Sequence, residues 1–418
     1  MAKPVGVSTF WLTLKNPNYR NYAAGNFVSQ IGVWVHRIAV QWLTWELTHS
    51  PTWLGIIAFA DVFPNVVIAP LAGALADRVN RLHAMRLLIS LSAILMTAIA
   101  VLVLNDAITK ELLLALVLIN GMVMAFYSPV RLSIVPALVD RALLTSAISI
   151  SSLTFNIGRV GGPALAGLII LHWGVGHAFV FTAIADVLFI VALYMIHLVS
   201  TGEKRAPRSL RHIPAEIMDG FHYARKHPGI GPLLVIMMAS TVLLRPFNDL
   251  FAGFADDVFG RGAIGLAWLT SMLGVGAFTA SVSLTRRSGI NGLTGLMVAS
   301  MLVFSIALIG FTATNIFWFA CVCTVIAGFA MTSIGVTEQT LLQASVDGDM
   351  RGRVLSLYTL IGRGFPSIGA LVMGYMASFV GLRWPIFGGA VLCLIFWLWV
   401  RRRQKRMAAV LEAAPLRS

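Results

Sequence analysis

The sequence predicts an all-α membrane protein: twelve transmembrane helices in two pseudo-symmetric six-helix bundles. Composition, the placement of basic residues and an internal repeat carry that prediction. Of 418 residues, 58% are hydrophobic and only 11% charged, with a mean hydropathy of +0.84; soluble domains carry roughly a quarter charged residues. A bilayer's hydrocarbon core takes about 20 apolar residues of helix to cross. The chain divides into such runs at 21–46, 52–76, 84–105, 112–139, 145–171, 177–199, 231–256, 264–285, 292–312, 316–345, 353–380 and 384–400. A β-barrel would instead show roughly 10-residue alternating strands.

Basic residues fall on alternate sides of these runs. Lys3, Lys15 and Arg20 share a side with Arg78/Arg81/Arg86, Arg131/Arg141, Lys204 to Lys226, Arg286/Arg287, Arg351/Arg353 and the RRRQKR run at 401–406, while the opposite loops hold only Lys110, Arg261 and Arg383. By the positive-inside rule both termini are expected in the cytoplasm, in a multi-pass plasma (cell inner) membrane protein. The same asymmetry accounts for the net charge of +14, so no nucleic-acid partner is implied. The N-terminal MAKPVGVSTFWLTLKNPNYR lacks a short apolar core and small-residue cleavage site, so no removable signal peptide is expected. Cys321, Cys323 and Cys393 all sit inside apolar runs and suggest neither disulfides nor a metal site.

A charge in hydrocarbon costs several kcal/mol unless it is paired, hydrated or neutralised, which makes the charged residues within spans the functional candidates. Span one carries Asn26, Gln30, Arg37 and Gln41 on one helical face, and that stripe is expected to line a cavity, with helix packing as the alternative. In span two Asp61 and Asn65 stand one turn apart. Burial and a nearby arginine act oppositely on a carboxyl's proton affinity, so an Asp61 facing Arg37 is the leading proton-coupling candidate of the N-terminal half; a permanent Arg37–Asp61 tie is the structural alternative. Asp186 in span six has no neighbour in sequence to pair with and is a further candidate.

The break at 201–230 is the natural midpoint, separating an N-terminal bundle (1–200) from a C-terminal bundle (231–400) and a basic tail (401–418). Within it Leu210, Ile213, Ile217, Phe221 and Ala224 recur at helical spacing beside Arg211, Arg225 and Lys226, which suggests a short amphipathic helix lying on the inner leaflet. On span seven Arg245 and Asp249, four apart around Pro246, suggest an intrahelical ion pair beside a bend, with a gate role as the alternative.

The halves repeat. GMVMAFYSPVRLSIVPALVDR from Gly121 aligns with GFAMTSIGVTEQTLLQASVDG from Gly328, and Ile157-Gly158-Arg159 with Ile361-Gly362-Arg363. Such duplication is common in secondary transporters. The alignment sets Arg131 opposite Glu338, a proton-coupling candidate that could alternatively latch the cytoplasmic end, and Arg159 opposite Arg363, both candidates for substrate or anion contact, with backbone-carbonyl pairing as the alternative.

With these residues in view, GALADRVNRLHAMR at 73–86 resembles the signature loop of the major facilitator superfamily, with Gly73, Asp77, Arg78, Arg81 and Arg86 in the expected places and Asn80 where glycine is common. Gly158, Gly162, Pro163 and Gly167 resemble the G-x-x-x-G-P pattern of that family's exporters and antiporters. The stretches AVQWLTWELTHSPTWLG, SPVRLSIVPALVD and DMRGRVLSLYTLIGR are similar to its enterobactin-exporter-like branch, also called transmembrane secretion effectors. The resemblance implies two bundles around a central cavity and proton-driven efflux of a small amphipathic molecule such as a siderophore or drug, by a monomeric carrier in contact with membrane lipid and without a cofactor. It also implies an acidic residue near Val33, where this chain has Val33-Trp34. The signature loop reads as a conformational latch in which Asp77 meets Arg131 or the start of span eleven at Arg351 and Arg353.

An importer or lipid-handling facilitator of the same fold, and a non-transporting scaffold or sensor, are the alternatives. Enzyme readings find no support: no G-x-x-x-x-G-K-[ST] phosphate loop, HExxH or G-x-S-x-G elbow occurs. The orientation is testable by C-terminal fusions: a green fluorescent protein is expected to fluoresce, and alkaline phosphatase to stay inactive.

Overall fold

The computed structural model describes residues 7–76, 79–197, 213–287 and 289–413. Every regular element in them is helical, as hydrocarbon demands of a chain that must satisfy its backbone internally. The helices are α1 (Val7–Lys15), α2 (Pro17–Thr48), α3 (Pro51–Ala76), α4 (Arg81–Leu104), α5 (Lys110–Leu138), α6 (Leu144–Trp173), α7 (Val175–Tyr194), α8 (Ile213–Lys226), α9 (Ile230–Leu243), α10 (Phe251–Gly253), α11 (Gly262–Thr285), α12 (Leu293–Ala313), α13 (Phe317–Ser345), α14 (Arg351–Val380) and α15 (Arg383–Leu411). Among the described residues, 11 helical stretches are long and apolar enough to cross a membrane. The 32-residue α2, which carries the polar stripe, occupies the remaining predicted span.

Local chemistry sets the helix starts. Pro17 opens α2 behind Asn16, whose Oδ1 accepts from the backbone N–H of Asn18 and Tyr19 at 3.0 and 3.2 Å. Asn80 caps α4 in the same way, accepting from Leu82 and His83 at 3.0 and 3.2 Å. The residue that departs from the signature loop's usual glycine therefore has a structural task.

The repeat is visible in the backbone. Asp140 and Asp347 each precede a short 3-10 turn, Arg141–Leu143 and Gly348–Met350, leading into the 30-residue helices α6 and α14. Each of these contains a proline, Pro163 or Pro366, and each ends on a glycine with positive φ, Gly174 at 86° and Gly381 at 83°. Glycine adopts that conformation without the Cβ clash other residues meet.

Packing divides the chain into two compact units, 1–47 with 64–210, and 48–63 with 211–418. The first half of α3 thus packs with the second unit, where Gly374 on α14 faces the Pro51 carbonyl and Gly55. Two span boundaries differ from expectation. Span seven is broken: α9 ends at Leu243, Arg245–Leu250 winds as a 3-10 helix, and after α10 the segment Phe254–Val258 takes a π-helical turn. Pro246 supplies no amide hydrogen and cannot continue an α-helix unbroken, and a cluster of Phe247, Phe251 and Phe311, with ring centroids 5.0 to 6.2 Å apart, fills the space beside the break.

The helix of the last predicted span continues past 400, as α15 to Leu411, so the basic run is helical. Its end is tied down by Ser345 Oγ, which donates to the Leu411 carbonyl at 3.0 Å, and by Glu412, which accepts from the N–H groups of Gly292 and Thr294 at 2.5 and 2.7 Å where α12 begins. Burial works to raise the Glu412 carboxyl, but those hydrogen bonds and Arg287 outweigh it and hold its pKa below the ordinary value. The linker helix forms as α8, with Met218 and Phe221 exposed and Gly220 packed against the Arg353 backbone on α14. Asp219 pairs with Arg353 at 3.2 Å, and the Tyr223 hydroxyl donates to Asp347 at 2.8 Å.

Small residues let the spans approach. Gly25 lies against Phe189 and Ala192 of α7, and Gly32 against Ala185. In the second unit Gly276 on α11 and Gly328 on α13 leave no room for a side chain: a Cβ would meet the Val325 carbonyl in one case and the Leu273 carbonyl in the other. Gly276→Val is expected to lower the melting temperature in detergent or abolish the monodisperse peak, since overpacking costs about 1–3 kcal/mol or more. Gly161→Ala is the control, for a Cβ there meets nothing within 4 Å.

Candidate functional site

The break in span seven builds the most developed polar site. A cavity of about 390 Å³ lies within the second unit, lined by α9, the 3-10 segment, α12, α13 and α14. Its wall combines apolar residues, Met237, Phe304, Met331, Ile334 and Leu355, with Ser240, Thr241, Gln339, Gln343, Tyr358 and Thr359. The charged residues lining it are Arg245, Glu338 and Arg363.

Each charged residue is placed by a local feature. Arg245 opens the 3-10 segment and its Nη1 donates to the Gly362 carbonyl on α14 at 3.3 Å. A 3-10 helix turns about every three residues, so the four-residue spacing to Asp249 is not the one-face spacing it would be in an α-helix, and Arg245 lines the cavity. Glu338 on α13 is 3% exposed, and its Oε1 has no hydrogen-bond partner. Arg245 is the charge that acts on it. Tyr358, within the field of both, donates to the Gly335 carbonyl at 3.3 Å. Arg363 reaches the cavity from α14 on a more exposed turn.

In the first unit the four residues of the α2 stripe are not equivalent. Asn26 and Gln30 are 3% and 5% exposed, inside the unit, while Arg37 and Gln41 are half-buried. Along this face Gln30 Nε2, Trp34 Nε1 and Gln41 Oε1 are buried without hydrogen-bond partners, and Arg37 lies over the Trp34 ring at 5.7 Å. The exporter-type glycines fit the same face of α2. A Cβ at Gly158 would meet Trp34 and the Gln30 carbonyl at 3.0 and 3.2 Å, and one at Gly162 would collide with Trp34. Pro163 and Gly167 are buried on the same helix, and Arg159 is half-buried beside them.

Asp186, which sequence left without a partner, accepts from Ser92 Oγ at 2.8 Å and Ser29 Oγ at 3.3 Å. Ser29 sits between the two glycines that bring α2 against α7, so this 4% exposed carboxyl crosslinks α2, α4 and α7. Asp61 is half-buried on the part of α3 that packs with the second unit, and Asn65 follows on the part that packs with the first.

The signature-loop arginines find partners within their own units. Arg81 donates to the Ser133 carbonyl on α5 at 3.3 Å. Arg86 donates to the Leu193 carbonyl on α7 at 2.8 Å and lies 4.4 Å over the Tyr194 ring. Arg131 is hydrogen-bonded to Tyr22. Arg351 reaches the Gln343 carbonyl at 3.5 Å, and Arg353 takes Asp219 as its counter-charge. Asp77 and Arg78 lie outside the described residues, and Gly73 is described only as part of the α3 backbone. Sequence reasoning missed Arg245, Gln339 and Gln343 as cavity residues. The run Glu338-Gln339 with Gln343 one turn on was a readable polar stripe in an apolar span.

Comparison with known proteins places this geometry. Residues 8–415 match the family model described as "Transmembrane secretion effector", and the chain belongs to that family, a branch of the major facilitator superfamily of membrane transporters. It is 26% identical over 382 residues to the staphyloferrin A transporter of Staphylococcus aureus, covering 89% of this chain and 93% of that protein. It is also 26% identical over 370 residues to the enterobactin exporter EntS of Shigella flexneri, covering 87% and 86%. Its fold is similar to that of a bacterial homolog of the human lysosomal transporter Spinster in an inward-facing, unoccupied conformation, with a TM-score of 0.69 at 16% identity over 98% of this chain and 100% of that one. The protein is thus a secondary active transporter of a small molecule, not an enzyme.

Ser92→Ala removes the shorter of the two hydroxyl bonds to Asp186. It is expected to cost about 1–3 kcal/mol, the usual penalty for a buried polar group losing its partner, read as a fall in melting temperature of purified protein.

Proposed function

We propose that the protein is a proton-coupled exporter of a small amphipathic molecule, a siderophore or a drug, that works by alternating access with both termini in the cytoplasm. One observation carries the reading: a carboxyl 97% buried, with one oxygen unpartnered, facing an arginine across a cavity of ligand size. A buried polar group in that condition is incomplete. A proton completes the carboxyl, and a ligand that takes Arg245 changes which form of Glu338 is stable. Proton binding and ligand binding at such a site are linked, and linkage of this kind is what couples two fluxes.

The groups that act with Glu338 are Arg245 from the 3-10 segment and Tyr358 from α14, and Arg363 of α14 lines the same cavity. Export as the direction is supported by Gly158, Gly162, Pro163 and Gly167, whose packing against α2 fits the exporter-type pattern, and by the names of the relatives. Asp61 is the second proton-coupling candidate. Asp186 serves better as a structural crosslink, because both its known partners are hydroxyls of its own unit.

In proteoliposomes with an imposed pH gradient, a panel of siderophores and amphipathic drugs is expected to yield compounds whose movement dissipates the gradient. Glu338→Gln should lower that coupled flux at least about ten-fold, within the range of ordinary coupling energies, while leaving the folded fraction unchanged. Cells lacking the gene should accumulate more of the same compounds; lower accumulation identifies an importer, no flux with the unmodified protein favours a non-transporting role, and unaltered flux in both Glu338→Gln and Asp61→Asn removes these carboxyls from the coupling.

A further inference from the structure

The lining of the second unit's cavity also points to the charge of what it binds. Two arginines, Arg245 and Arg363, line it together with a single carboxyl, Glu338, and the rest of the wall is neutral. With Glu338 ionised the lining carries one net positive charge; with it protonated, two. Arginine presents a planar fork of donors that matches a carboxylate bidentately, and the two arginines come from different helical elements, so a ligand group between them would bridge the 3-10 segment to α14.

We propose that the substrate is an amphipathic anion whose carboxylate binds at Arg245 and Arg363 and competes with Glu338 for Arg245. Met237, Phe304, Met331, Ile334 and Leu355 would take its apolar body. The competition follows from geometry: Arg245 already spends one N–H on the Gly362 carbonyl, and the remaining donors on its cavity side cannot serve an ionised Glu338 and a ligand carboxylate together without bringing two like charges into contact. A cationic ligand would meet the opposite situation, a half-buried Arg245 and an exposed Arg363 against one carboxyl. This inference deepens the transport reading of the same cavity and rests on it.

The test uses matched probes on the full chain purified in detergent at pH 7: 1-naphthoate, 1-naphthamide and 1-naphthylmethylamine, which share a ring system and differ in charge. Thermal stabilisation titrated with each is expected to rank the acid first. Arg245→Gln should weaken the acid at least about ten-fold, as truncating one partner of a buried charge pair does, with Arg363→Gln acting in the same direction. Glu338→Gln, which removes the competitor and keeps the shape, should tighten it. Equal binding of acid and amide, preference for the amine, binding of none of the three, or loss of acid binding in Glu338→Gln overturns the proposal. Acid-selective binding in a protein that moves no protons would count against proton coupling and leave this inference standing; coupled flux with no preference for the acid would do the reverse.

Discussion

A charged or polar side chain inside hydrocarbon must find its partner within the protein, because no water is there to supply one. The interior of this transporter is arranged around that constraint. Asp186 is served by two serine hydroxyls, Arg81 and Arg86 by carbonyls near the ends of α5 and α7, and Arg245 by the carbonyl of Gly362. Glu338 keeps one oxygen unserved, and it does so on the wall of a cavity. Gln30, Trp34 and Gln41 in the first unit also keep an unserved atom; Glu338 is the ionisable group among them.

Close approach of helices makes these partnerships possible. Ser29 reaches Asp186 because Gly25 and Gly32, on either side of it, let α2 settle onto α7. Trp34 and the Gln30 carbonyl lie against α6 because Gly158 and Gly162 carry no side chain. In the second unit Gly369 plays the corresponding part, its face turned to Pro246 and the Val242 carbonyl. That contact holds α14 against the broken span, and the break aims Arg245 into the cavity. Small residues are thus the means by which polar chemistry is positioned, in keeping with the weight of van der Waals packing in membrane helix association.

The linker and the last helix show the same economy at the ends of the spans. α8 turns Asp219 and Tyr223 toward α14 and Asp347 while Met218 and Phe221 remain exposed, an arrangement suited to an interface between protein and lipid headgroups. Glu412 gives its carboxylate to the first N–H groups of α12, where the positive end of a helix favours it. These contacts join segments distant in sequence, Asp219 with Arg353 and Gly292 with Glu412.

Hydropathy, the repeat and the signature loop settled the class of fold from sequence alone, because a bilayer imposes one length and one polarity on every span. The candidate charges were legible for the same reason: Glu338, Asp186 and Arg363 stand out in apolar runs. Their partners were not legible, because pairing depends on which faces meet. Asp186 found serines 94 and 157 residues away, Arg353 found the linker helix, and Arg245 reaches α14 from the 3-10 segment that Pro246 opens. Periodicity assumes an unbroken helix, so it misplaces a side chain wherever the backbone changes pitch. Sequence determined that this protein spans a membrane and which of its residues must be satisfied there; only the packing of glycine-lined helices decided what satisfies them, and that Glu338 is left with an oxygen to spare.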